Sequence, residues 1–161
     1  MRIHVATDHA GLEFSQTVRE HVAAQGHEVH DHGPRVFDPL DDYPSFCINA
    51  ARAVARDQAA GVEALGIVFG GSGNGEQIAA NKVRGIRAAL VWSDATATLA
   101  REHNDANVIA IGARQHSVDE ALRFIDLFIG TPFPGEERHA RRIAQLAEYE
   151  TTGQIAGHEI V

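Results

Sequence analysis

The chain has 161 residues, about one domain's worth, and carries 14 Lys+Arg against 22 Asp+Glu, a formal charge of −8 with 10 histidines counted neutral. A net-negative surface disfavours nucleic acid and anionic membranes as partners, and no apolar run approaches the ~20 residues of a membrane span. One cysteine, Cys47, excludes an internal disulfide and fits a reducing cytosol; with no signal-peptide pattern after Met1, the expected location is cytoplasmic.

Ile3-His4-Val5-Ala6-Thr7 predicts a first strand, followed by a helix through Leu12, Phe14, Val18 and Val22 that ends at Gln25-Gly26, where glycine suits a C-terminal cap. His27 to His30 reads as a short second strand, and Asp31 to Asp42 as a loop. Tyr43-Pro44 opens an alanine-rich helix to about Arg56, with proline in the tolerated first turn. Leu65 to Phe69 is a third strand, running into the glycine loop Gly70 to Gly75 and a short helix from Glu76 to Lys82. A fourth strand spans Ala88 to Trp92. The helix after it starts at a Ser93 or Asp94 cap and runs to about His103, and a fifth strand spans Val108 to Ile111. Ser117 caps a helix stopped by Gly130-Thr131-Pro132, and a last helix covers about Gly135 to Glu150. Residues 1–150 read as one domain and 151–161 as a tail without helical period.

Five strand–helix alternations with near-continuously apolar strands predict a three-layer α/β/α sandwich, Rossmann-like, around a five-stranded parallel sheet. Ligands of such sheets collect at the carboxyl ends of the strands. The expectation is that Asp8-His9, the glycine loop with Glu76, His103-Asn104 and Arg114 converge on that one edge.

The glycine loop lacks the Lys–Ser/Thr of a P-loop, and Glu76 replaces the third glycine of the dinucleotide fingerprint. It is either a tight turn or a nest of backbone N–H groups for an anion. Glu76 either complements the helix dipole or acts as a general base beside those donors. Asp8-His9 is a self-satisfied polar pair or a site, and His103 a dipole partner or a proton shuttle. Arg138 and Arg142, one turn apart, are a solvated face or, with Arg114, a phosphate clamp; the last helix lies so far along the chain that a neighbouring subunit's edge is its natural target. His27, His30 and His32 read as surface, and His4, His21, His116 and His158 carry no positional signal. Cys47 reads as packing. A receiver module needs an aspartate where Gly70 stands, and an FMN site a hydroxyl-rich loop where Asp8-His9 stands.

Asp8-His9-Ala10-Gly11, Asp42-Tyr43-Pro44, Gly71-Ser72-Gly73-Asn74-Gly75-Glu76, Ile78-Ala79-Ala80-Asn81-Lys82, His103-Asn104-Asp105-Ala106-Asn107, Gly112-Ala113-Arg114 and Arg138-His139 with Arg142 resemble type B ribose-5-phosphate isomerases, in order and with compatible spacing. The resemblance implies isomerisation of ribose 5-phosphate and ribulose 5-phosphate without metal or cofactor. It also implies homodimers, sometimes tetramers, whose sites are completed by the partner's C-terminal helix. By position, Asp8 and His9 contact substrate, and His9, Arg114, Arg138 and Arg142 surround the phosphate, with His139 in the same motif. His103 opens the furanose ring, Asn104 binds hydroxyls, Tyr43 lines the site, and Gly71, Ser72, Gly73, Asn74 and Gly75 hold the enediolate oxygen. Many members carry a cysteine base where this chain has Gly70; the branch without it is expected to use Glu76. The implied alternatives are an isomerase of allose 6-phosphate or galactose 6-phosphate and a non-catalytic sugar-phosphate-binding module.

Overall fold

The computed structural model describes residues 1–161. Strands β1 (Arg2–Ala6), β2 (Glu28–Asp31), β3 (Ala64–Gly70), β4 (Ala88–Val91) and β5 (Val108–Gly112) form one parallel sheet in the order β2-β1-β3-β5-β4. The helices are α1 (Leu12–Ala24), α2 (Tyr43–Ala59), α3 (Asn74–Ala80), α4 (Asp94–Asn104), α5 (Val118–Gly130) and α6 (Glu137–Thr152). None is long and apolar enough to cross a membrane.

Side chains alternate across the sheet with the strand's two-residue period, so each strand feeds two cores. Ile3, Val5, Ile67, Phe69, Ile109 and Ile111 face α1, α4 and α5, where Val18, Val22, Phe124, Ile125 and Phe128 meet them. The opposite face is built from small residues. Ala6, Val68 and Ala110 pack on Ala50, Ala51 and Val54 of α2 and on Ala79 and Ala80 of α3. A Cβ on Gly66 would come within 2.9 Å of Val108 and 3.1 Å of Val54, so α2 sits closer to the sheet than a larger residue would allow. The chain adds β2 on one side of β1 and β3 on the other, which places the topological switch point at the carboxyl ends of β1 and β3.

Ser93 and Ser117 are N-caps with reciprocal capping boxes, through Thr96 and Glu120. Several boundaries differ from expectation. The second strand lies one residue later, α2 continues three residues past Arg56, and α3 begins at Asn74 because Gly73 caps it at φ 82°. The last helix runs through Thr152: Thr151 and Thr152 hydroxyls donate back to the carbonyls of Ala147 and Glu148, and Gly153 ends it at φ 73°. The tail folds back onto this helix. Ala156 N donates to Glu148 Oε1 at 3.1 Å, and Ile155 bridges His158.

Candidate active site

At the carboxyl end of β1 the chain makes a single 3-10 turn, His9–Gly11, capped by the Asp8 side chain, which accepts from Ala10 N at 2.9 Å. Gly11 is required there, since a Cβ would strike Thr7 Oγ1. At the end of β3 the glycine loop is stitched to β5: Ala113 N donates to Gly70 O at 2.8 Å and Arg114 N to Gly71 O at 3.2 Å. The Arg114 guanidinium therefore lies against Gly71, 3.6 Å from where a Cβ would stand. On the other side of the loop, a Cβ on Gly75 would sit 2.6 Å from the Tyr43 hydroxyl.

Glu76, buried on the first turn of α3, folds its carboxylate back against Cα of Gly70. Burial raises its pKa; backbone N–H groups of Glu76 and Gly73 pull the other way, while the charge of Asp8 adds to the rise. A carboxylate lifted towards neutrality is a better proton acceptor for carbon acids than an exposed one. Cys47, buried nearby, is no competitor. Burial pushes its thiol far up, reinforced by Glu76 and Asp8, so it stays protonated at neutral pH. Asp8, His9, Tyr43, the loop, Glu76 and Arg114 thus form one constellation at the switch point.

The expected convergence of all groups on one edge is not what a single chain provides. A crossover helix runs back against the strand it follows, so the C-terminal end of α4 lies at the amino edge of the sheet. Arg87, just before β4, donates from Nε to the Asn104 carbonyl at 2.9 Å. Since Gly66 pairs with Val108 and Gly70 with Gly112, this corner is separated from the Glu76 edge by about 13 Å of strand at ~3.3 Å per residue. There His103 stacks on His139 of α6, with ring centroids 4.2 Å apart and planes at 13°. Arg138 Nε donates to His139 Nε2 at 3.1 Å, and Arg142 follows one turn later. His139 is buried, and desolvation, then the nearby His103 and Arg138, lower its pKa. This second group comprises His103, Asn104, Arg138, His139 and Arg142.

Two features were not visible in the sequence. Asp41 binds His9, at 2.6 Å from its Nδ1. His4, buried in β1, bridges Asp57 (Nε2 to Oδ2, 3.1 Å) and His32 (Nδ1 to Nε2, 2.9 Å), which corrects the expectation that His32 is a free surface residue. The two partners of His4 lie 53 and 28 residues away, beyond any local pattern. Other histidines pair as well: His21 reaches Asp126 at 2.7 Å, tying α1 to α5, and His30 reaches its near neighbour Glu28 at 2.8 Å.

The fold is an open parallel α/β sheet that holds, at its switch point, a buried carboxylate beside a glycine loop, an arrangement suited to acid–base chemistry in an α/β enzyme. The chain belongs to the ribose/galactose isomerase family, whose profile matches residues 3–146. It is 55% identical over 152 residues to ribose-5-phosphate isomerase B of Mycobacterium tuberculosis, covering 94% of this chain and 91% of that one. The crystal structure of ribose-5-phosphate isomerase B from Mycoplasma genitalium with bound ribulose-5-phosphate superposes with a TM-score of 0.89 at 40% identity, over 94% of this chain and 97% of that one. The Clostridium thermocellum ribose-5-phosphate isomerase B gives 0.88 at 37% identity, over 96% and 100%.

Proposed function

We propose that the chain interconverts D-ribose 5-phosphate and D-ribulose 5-phosphate through a cis-enediolate, at a site shared between two copies. The observation that carries this reading is the buried Glu76 carboxylate held against Gly70 of the glycine loop, in a chain 55% identical to a ribose-5-phosphate isomerase B. Glu76 removes the C2 proton of the open-chain aldose. Backbone N–H groups of Gly71, Ser72 and Gly75 stabilise the charge that grows on oxygen, while the Gly73 N–H holds the Glu76 carboxylate and the Asn74 N–H the Ser72 hydroxyl; Glu76 then returns the proton to C1. Asp8 and Tyr43 position the sugar, and Arg114 with His9 takes part of the phosphate charge.

His103, Asn104, Arg138, His139 and Arg142 act on the substrate bound at the other copy's switch point. There His103 carries the protons of furanose opening, Asn104 binds hydroxyls, and the two arginines close the phosphate clamp. Two observations support a second copy. The groups needed together lie at opposite sheet edges of one chain. An apolar cavity of about 370 Å³, lined by Ile86, Ala88, Ile143, Leu146 and Ala147, opens beside edge strand β4, with Leu146 exposed.

The test is turnover of ribose 5-phosphate, followed by subunit mixing. Glu76→Gln and His103→Ala homodimers are each expected to be inactive. Refolded together, random pairing makes half the dimers mixed, each with one intact site, so about a quarter of wild-type activity returns. No recovery would refute the shared site. A higher kcat/KM for allose 6-phosphate or galactose 6-phosphate would refute the five-carbon assignment.

A further inference from the structure

The loop between β2 and α2 sends Asp41 onto His9. Its Oδ1 accepts both the His9 backbone N–H at 3.1 Å and the ring Nδ1 at 2.6 Å. The Asp41 side chain is only 9% exposed, and its second oxygen, Oδ2, is buried without any hydrogen-bond partner. Phe37, from the same loop, meets the His9 ring edge-on with centroids 6.1 Å apart. The ring is thus held on two sides by one irregular segment, while its exposed part borders a cavity with Arg35 and Phe37.

A ring whose Nδ1 donates to a carboxylate has its proton placed and its tautomer chosen, which leaves Nε2 for a ligand. A buried carboxylate with one orphan oxygen is costly unless a positive charge stands beside it. A phosphate at Nε2 calls for the same charge, because a ring that donates to both groups must carry both protons. We propose that Asp41 is the positioning residue of His9: it fixes the ring and its Nδ1 proton, and balances the charge the ring carries while Nε2–H donates to the substrate phosphate. The inference rests on the sugar-phosphate reading above and extends it to a residue outside the motifs that suggested it.

Asp41→Asn keeps the size of the side chain and an acceptor for Nδ1–H but removes the charge; Asp41→Ala removes both. The expected result is a KM for ribose 5-phosphate raised about 10-fold in the first variant and more in the second, with kcat within about two-fold. The Ki of inorganic phosphate as a competitor rises in parallel. In a His9→Ala background, Asp41→Asn changes neither constant further, which a merely structural aspartate would not reproduce. Ring ¹⁵N spectra of the phosphate-bound wild type show both His9 nitrogens protonated, a signature lost in Asp41→Ala. Unchanged KM and Ki in a folded Asp41→Asn protein, or an undiminished effect in the His9→Ala background, would overturn the proposal. If the wild type failed to turn over ribose 5-phosphate, the functional reading would fall; the phosphate titration of His9 would still decide the role of Asp41.

Discussion

Replacing Gly70 with alanine tests whether the position of the Glu76 carboxylate sets the rate. Gly70 ends β3 in ordinary strand backbone, with no positive φ, so a methyl group there adds no main-chain strain. What it meets is the carboxylate. The new Cβ would lie 2.6 Å from Oε2 and overlap Cδ and Oε1 outright, whereas ordinary van der Waals contact begins near 3.4 Å. Even the farther oxygen must therefore retreat by almost 1 Å, and the nearer atoms by more. Misplacing a reacting group by about 1 Å costs roughly 100-fold in rate. The expected Gly70→Ala enzyme melts within a few degrees of wild type but loses about 100-fold in kcat, with a smaller change in KM. A coupled spectrophotometric assay of isomerisation, run beside thermal melting, reads both. A folded Gly70→Ala enzyme with wild-type kcat would refute the assignment of Glu76 as base.

Glu76→Gln is expected to lose about 100- to 10,000-fold in kcat, the usual contribution of a general base, in a steady-state assay. Because the folded pKa of Glu76 lies above its unfolded value of about 4.3, ionisation at neutral pH opposes folding, and stability falls as pH rises through the folded value. The glutamine variant should therefore melt higher than wild type at pH 8, and the gap should close below about pH 4. Wild-type activity should fall as pH drops through that same raised value. Burial, with the charges of His4 and His30 adding, lowers His32 to about 4 from 6.5; Asp31 opposes the shift and Arg56 supports it. Its contribution is present above pH 6.5 and lost as pH falls through 4, so melting temperature should drop more steeply over that window in wild type than in His32→Gln. Gly75→Ala drives the Tyr43 hydroxyl from a 2.6 Å overlap, which should raise KM; Tyr43→Ala in the same chain should relieve the crowding, as judged by recovered thermal stability.

Strand and helix identity was legible because each element repeats its own hydrophobic period between chemically specific boundaries, such as the N-caps Ser93 and Ser117 and the glycine Gly26 that follows α1. The switch-point half of the site was legible for the same reason, since Asp8 and the glycine loop directly follow the strands that present them. The His103 half was misplaced, because following a strand in sequence is not the same as lying at its carboxyl end. Nine residues of α4, Asp94 to Glu102, carry the chain back across the sheet before His103 and Asn104 appear. Asp41 escaped notice for a different reason. Irregular loops carry no period, and its partner His9 is 32 residues away. Asp57 was likewise hidden, on a helix whose partners Arg2 and His4 sit in β1, 55 and 53 residues away.

The separation of the two halves has a kinetic consequence. A lone chain holds every proposed reacting group yet cannot bring Glu76 and His103 to the same sugar, so on the shared-site reading a dissociated chain is silent. Diluted below its dissociation constant, the enzyme should lose specific activity, and its rate should scale with the square of chain concentration rather than linearly. Substrate, by bridging the halves, should hold the pair together and push that threshold lower.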